Sequence, residues 1–426
     1  MTARRRSPEA TEDESERRGV LGGMSVARFF REHWQKKPLL VRGAFPRFRD
    51  PITPDELAGL ACEDGVESRI VERRGAGAAR GRRAGPWEVT WGPHDEARFA
   101  SLPERDWTLL VQEVNRWVPE AALLLDRFAF VPNVRVDDVM VSFAAPGGGV
   151  GPHVDSYDVF LVQGRGERRW RYHTAPTRDT RLVPGLDLRV LASFRADADE
   201  VLRPGDMLYL PPGFAHDGVA VTPCLTYSIG FRSPSAGEAW ASFAAAAREG
   251  AGAARLLEDP PLSPRAHPGA IPPALLARVR AMVRSLDTSD DAVDRWFASY
   301  ATRLKPGHGL EPPRRAPDEA TLRARLARGD VVARSEEGRW AFLPRPRGAL
   351  LLYVGGEEIA VPAPAAGIAR ILAAARQFDG RALAREAKSR AARELLVRLF
   401  ARGALRVAGR GAPRARQRPP SGSERR

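Results

Sequence analysis

Apolar and polar positions divide the chain into stretches of different period. Residues 1–20 mix five acidic with five basic side chains and show no apolar period, so they are expected to form a disordered leader. From Ser25 apolar residues recur every three or four positions, at Val26, Phe29, Phe30 and Trp34, which predicts a helix with Ser25 as N-cap. After Pro38 the run Leu39-Leu40-Val41 predicts a buried strand, and Thr53-Pro54-Asp55-Glu56 opens a second helix ending by Cys62. A further helix is expected over roughly Trp107 to Val118.

Between Val139 and Arg232 the period shortens. The β-prone runs Val139–Phe143, Asp158–Val162, Arg169–Tyr172, Met207–Leu210 and Leu225–Phe231 follow one another between glycines and prolines, which predicts an antiparallel sandwich or barrel. From Ala236 to Arg303 the pattern is helical again, with Leu275, Leu276, Val279 and Met282 on an apolar face. A proline-containing link, Lys305 to Pro317, precedes a last segment. There a helix from Asp318, β-prone pieces at Trp340–Leu343 and Ala349–Val354, and two further helices read as a small module of winged-helix type.

Composition narrows this only a little. A chain of 426 residues is too long for one ordinary domain. It has no apolar run of membrane-spanning length, and its charged first 20 residues lack the core of a signal peptide. The two cysteines, Cys62 and Cys224, form no paired motif and read as buried thiols, so a reducing cytoplasm is the expected location. The net charge of +14 is concentrated in two segments: five arginines in 73–87, and eight arginines against Glu424 in 401–426. These read as solvated additions, and nucleic-acid contact through the tail is the alternative.

Chemistry is concentrated in Pro146-Gly-Gly-Gly-Val-Gly-Pro-His153-Val-Asp155. A histidine and an aspartate two apart on a strand point to the same side. His216 closes the segment that runs from Arg203 through Pro-Gly-Asp and a β-prone run, the context of a strand that delivers a ligand inward. Two histidines and one carboxylate form a facial triad, which leaves three adjacent positions of an octahedral iron open. Chelation by 2-oxoglutarate takes two of these and dioxygen the third. The other histidines, His33, His94, His173, His267 and His308, lack such surroundings.

The segment Asp137 to Trp170 resembles the bacterial ribosomal oxygenases, as do Phe30–Phe45 and Thr226–Arg232. That resemblance implies a JmjC-type oxygenase dependent on Fe(II), 2-oxoglutarate and dioxygen, which hydroxylates an arginyl residue of a large-subunit ribosomal protein. It implies an α+β chain: a double-stranded β-helix (cupin) core within 137–232, inside a domain of 21–235 that includes N-terminal additions. A helical dimerisation region at 236–304, a winged-helix-like domain at 318–408 and a basic tail at 409–426 complete the expected order, with a homodimer as the assembly. By position in the family motif, Arg168 is the candidate to bind the distal carboxylate of 2-oxoglutarate, with Arg169 expected to face away. Ser228 and Tyr227 are weaker candidates for supporting hydrogen bonds. Asp138, Met140 and Tyr157 occupy the positions where the family meets its arginyl side chain.

Three other readings compete. The triad alone fits a metal-binding cupin that is not an oxygenase. The winged-helix-like end and basic tail fit a nucleic-acid-binding or ribosome-interaction protein, although 318–408 lacks the interleaved aromatic and basic residues of a single-strand binder. Within the oxygenase reading, histidine or lysine could replace arginine as the target.

Overall fold

The structure is a computed structural model that describes residues 19–73, 87–247, 256–261, 271–285, 287–305 and 307–408. Nearly all of the expected leader, most of the arginine-rich 73–87 segment and the tail after Ala408 lie outside the described residues. The chain divides into two compact units that meet between Ser233 and Pro234.

The first unit begins with α1 (Val26–Glu32), capped as expected by the Ser25 side chain, then β1 (Leu39–Val41) and α2 (Pro54–Ala61). Thr53 and Glu56 close a capping box at the start of α2. A hairpin of β2 (Ser68–Arg73) and β3 (Trp87–Trp91) is followed by α3 (Glu96–Ala100), β4 (Trp107–Val111), α4 (Val114–Trp117) and α5 (Pro119–Ala122). Then come β5 (Val136–Ala144), β6 (His153–Val154), β7 (Asp158–Gln163), β8 (Arg168–Tyr172), β9 (Ala198–Leu202), β10 (Met207–Leu210), β11 (Ala215–Ala220) and β12 (Cys224–Phe231).

Two sheets face each other. The larger has the order β1-β10-β7-β12-β5-β4-β2-β3 and the smaller β6-β11-β8-β9, all pairs antiparallel. This is the double-stranded β-helix, with the N-terminal segment extending one sheet and covering its outer face. Val139, Val141, Phe160, Val162, Tyr209, Tyr227 and Ile229 point to that outer face and are buried against Phe29, Ile52, Leu57 and Phe128. Phe29 is fully buried, with ring centroids 5.1 Å from Tyr209 and 5.8 Å from Phe160. The opposite faces of the same strands line the space between the sheets.

The expected helix over Trp107–Val118 is corrected. Its first half, Trp-Thr-Leu-Leu-Val, is a strand paired with β2 and β5, and only Val114–Trp117 is helical. Five consecutive apolar or β-branched residues satisfy a strand buried on both faces as well as a helix. Glu113, with φ of 51°, separates the two elements.

In the second unit α6 (Ala236–Ala247), α7 (Pro273–Arg284) and α8 (Asp290–Thr302) precede α9 (Glu319–Arg328), β13 (Val331–Arg334), β14 (Trp340–Pro344), β15 (Leu350–Val354) and β16 (Glu357–Val361). The unit ends with α10 (Ala363–Ala374), β17 (Gln377–Phe378), α11 (Gly380–Glu386), α12 (Arg390–Ala401) and β18 (Leu405–Ala408). Three helices thus follow β16 where two were expected, because Ser389 caps α12 separately from the short α11. α8 packs on the β14-β15-β16 sheet, with Arg295 on Glu358 and the Ser299 hydroxyl donating to the Gly356 carbonyl. α7 buries no residue, and Ile271, Val283 and Trp240 are about two-thirds exposed. No helix among the described residues is long and apolar enough to cross a membrane.

Replacing Phe29 by Ala should remove the aromatic contact that joins the N-terminal helix to the barrel. Chemical denaturation is expected to show a loss of about 3–5 kcal/mol, the range for deleting a buried phenylalanine ring.

Candidate metal centre

After β5 the glycine-rich loop turns the chain across to the smaller sheet. Gly151 holds a φ of +82°, and a side chain there would run into the Trp87 ring. The loop ends in the two-residue strand β6, which pairs with β11 so that His153 and His216 are direct partners in the ladder. Their rings lie 4.3 Å apart between centroids. Asp155 brings one carboxylate oxygen to 3.9 Å from His153 Nε2 and the other to 3.6 Å from His216 Nε2. Among the described residues these three form the cluster able to hold a metal ion, with donor atoms within 4.8 Å of one another.

The tautomers follow from the hydrogen bonds. Nδ1 of His153 lies 2.9 Å from the Gly151 carbonyl, and Nδ1 of His216 lies 3.0 Å from the Phe214 carbonyl. A carbonyl can only accept, so each Nδ1 carries a proton, and in the neutral ring Nε2 is the atom left with its lone pair toward the centre. Burial, with the His153 ring beside it, pulls the His216 pKa down to about 4, against the opposing pull of Asp155. His216 is therefore a neutral donor at pH 7. Two imidazole nitrogens and one carboxylate, clustered within ligand distance of one another, fit a divalent iron-type ion.

Arg168 is buried, whereas Arg169 turns outward to a bidentate pair with Asp199 and Arg171 pairs with Asp217. Alternation along β8 produces this split. The Arg168 guanidinium donates to Ser142 Oγ at 3.1 Å, Thr226 Oγ1 at 3.4 Å and the Gly218 carbonyl at 3.1 Å. All three acceptors are neutral, and the buried Nε meets no acceptor. Burial pulls its pKa down. Such a cation calls for an anion in the adjoining space. Gly218 makes that space: a Cβ there would fall 2.6 Å from the Trp170 ring and 2.9 Å from Arg168 Nε.

Asp138, Met140 and Ser142 alternate onto the inner face of β5, and Ser228 lies opposite Met140 on β12. Asp138 is buried and accepts a hydrogen bond from the Glu113 amide at 3.0 Å. Tyr157 is 40% exposed; its partial burial and the Asp155 and Asp138 charges push its pKa up. Tyr227 goes the other way. It is fully buried in the outer core with its hydroxyl toward the Ile52 carbonyl, on the face opposite Ser228.

Ser142, Thr226, Gly218 and Trp170 escaped the sequence reading. Ser142 shares the parity of Asp138 and Met140, and Thr226 that of Ser228, so the signal was present in the alternation. Of the remaining histidines, His33 and His173 bond to carbonyl or hydroxyl oxygens, whereas His94 is buried with Nε2 unpartnered.

Residues 123–239 match the JmjC domain family, and residues 283–406 match the ROXA-like winged helix. The ribosomal protein uL16 3-hydroxylase of Escherichia coli K12 is 38% identical over 306 residues, covering 72% of this chain and 79% of that protein. A probable ribosomal oxygenase of Haemophilus influenzae is 40% identical over 208 residues, 49% of each chain. The structure of YcfD, a ribosomal oxygenase from E. coli, in complex with cobalt and 2-oxoglutarate, superposes with a TM-score of 0.72 at 34% identity. That match covers 91% of this chain and 99% of the other.

His153→Ala and His216→Ala should each abolish binding of Co(II), read by its visible absorption, with the far-UV circular dichroism unchanged. Retention of wild-type Co(II) affinity in either variant would remove that histidine from the centre.

Proposed function

The chain belongs to the JmjC-type ribosomal oxygenases, and on that premise we propose that it hydroxylates an arginyl residue of a large-subunit ribosomal protein, with uL16 the first candidate. Fe(II), 2-oxoglutarate and dioxygen are the reactants. The observation that carries the reading is the pairing of two features in one pocket. A His-Asp-His cluster and, further along the same face of the β8-β11 ladder, a buried guanidinium whose hydrogen-bond acceptors among the described residues are all neutral lie on one surface.

Bound iron supplies the oxidising chemistry: 2-oxoglutarate is converted to succinate and carbon dioxide as one oxygen atom of dioxygen enters a substrate C–H bond. His153, Asp155 and His216 hold the ion. Arg168 binds the distal carboxylate, and Ser142, Thr226 and the Gly218 carbonyl hold its fork in place. Ser228, buried on the neighbouring strand, adds a donor on the same face. Asp138 offers a carboxylate to the incoming guanidinium, Met140 an apolar surface for its methylene stem, and Tyr157 the outer wall. An acidic side chain on that inner face favours a cationic target.

We also propose that the exposed apolar face of α7, with Trp240 on α6, is the contact between two copies of the chain. Its Val279, Met282 and Val283 are exposed, and Leu275 and Leu276 are only half-buried among the described residues. Sedimentation at micromolar concentration should give a dimer, and Val283→Glu should shift it to monomer.

Incubation with Fe(II), 2-oxoglutarate, ascorbate and ribosomal proteins, followed by mass spectrometry, should give a product heavier by one oxygen atom on an arginyl residue. Arg168→Ala should raise KM for 2-oxoglutarate by between about ten- and a hundredfold, with metal affinity retained, as expected for a lost charge-assisted pair. Asp138→Ala should instead impair hydroxylation of an arginyl peptide far more than the peptide-independent turnover of 2-oxoglutarate. A preference for a histidyl over an arginyl peptide would reject arginine as the target and leave the oxygenase standing.

A further inference from the structure

The inner surface of the larger sheet continues past β4. Leu110 on β4 lies opposite both Ser142 on β5 and Arg69 on β2, and Arg69 lies opposite Trp91 on β3. Ile70 beside Arg69 belongs to the outer core, so alternation turns Arg69 to the face that carries Asp138, Met140 and Ser142. Two strand spacings separate β2 from β5, roughly 10 Å, or about three residues of an extended peptide.

Arg69 is half-buried, with its guanidinium 5.6 Å over the Trp91 ring. Its Nε is fully buried and meets no acceptor. No ion-pair or hydrogen-bond partner for its side chain occurs among the described residues. Residues 74–86, which join β2 to β3, are arginine, glycine, alanine and proline only, and so bring no side-chain acceptor. Trp91, 52% exposed, and Tyr157 are the two large aromatic side chains left exposed among the described residues up to Ser233.

A cation with free donors, stacked on an exposed tryptophan beside an acidic pocket, is poorly explained by folding alone. We propose that Arg69, held flat by Trp91, binds the protein substrate by donating guanidinium N–H groups to its acceptor oxygens a few residues from the hydroxylated one. This rests on the hydroxylase reading above. The pocket mouth then has two poles, an acidic one for the target side chain and a basic one for the neighbouring chain. Main-chain carbonyls and side-chain carboxylates both present the required oxygen.

The test measures binding without turnover. A ribosomal peptide that the wild-type protein hydroxylates is titrated into protein loaded with Mn(II) and 2-oxoglutarate under argon. Arg69→Met should raise the peptide Kd about tenfold, as for loss of one charge-assisted hydrogen bond. Arg69→Lys, which keeps the charge and loses the fork, should fall between the two, and Trp91→Leu should weaken binding in the same direction. The affinity for 2-oxoglutarate should not move in any of them, a separation that a general loss of structure would not give. A second peptide with every Asp and Glu changed to Asn and Gln identifies the oxygens. The loss in Arg69→Met persists if they are main-chain carbonyls and disappears if they are carboxylates. Unchanged peptide affinity in both Arg69 variants, with a peptide that the wild type does hydroxylate, overturns the proposal. Failure of the wild type to hydroxylate any ribosomal peptide overturns the hydroxylase reading instead.

Discussion

Parity in the central strands of the larger sheet governs the molecule. On β5 and β12, Val139, Val141, Tyr227 and Ile229 are fully buried against the aromatic layer that the N-terminal segment lays over the barrel. Their neighbours Asp138, Met140, Ser142, Thr226 and Ser228 are thereby forced to the other face. A slip of one residue would exchange the two sets and drive a carboxylate and three hydroxyls into an apolar core. Packing on the outside therefore decides which side chains meet the pocket. The aromatic cluster around Phe29 and Phe160 lies on the other face of the sheet from Asp138 and Ser142, yet it sets the pocket's composition.

How much of this could be read from the sequence depended on how local each signal is. The runs at Asp158–Val162 and Met207–Leu210 were visible because both faces of those strands are apolar. β6 was legible only through the His-Val-Asp spacing, and its two residues stop short of Asp155; β11 was signalled only by the turn and β-prone run before His216, because it interrupts its apolar positions with His216, Asp217 and Gly218. β2 mixes Arg69, Glu72 and Arg73 into a strand and gave no clear period. The His-Asp-His set was legible because a glycine-rich turn and a Pro-Gly turn each lead into one of its parts. Arg69 was not, since its place beside the pocket follows from the pairing of β2 with β4, which no nearby residue announces.

The buried charges show where structure is given up for binding. Asp158, fully buried, has its burial answered by Tyr209, Gln35 and Arg135. Arg168 has hydroxyls and a carbonyl, but no carboxylate among the described residues. The first arrangement ties the N-terminal segment to the barrel. The second leaves a buried cation of the kind whose charge a dianionic small molecule answers.

The ladder pairing of His153 with His216, with both Nδ1 protons held by carbonyls of the chain itself, has a consequence for metal choice. Backbone pairing within the chain itself sets the two imidazoles side by side, which limits the ordering that metal binding has to supply. A preset cage of two imidazoles and one carboxylate also has no strong means of rejecting neighbouring first-row ions, whose intrinsic affinities for such donors rise from manganese to copper. Selection of iron is then delegated to the surroundings of the protein: the supply of each free ion, and the rate at which a wrong one leaves. The same open-handedness makes the centre accessible to spectroscopic substitutes that hold the pocket's shape while leaving its chemistry silent.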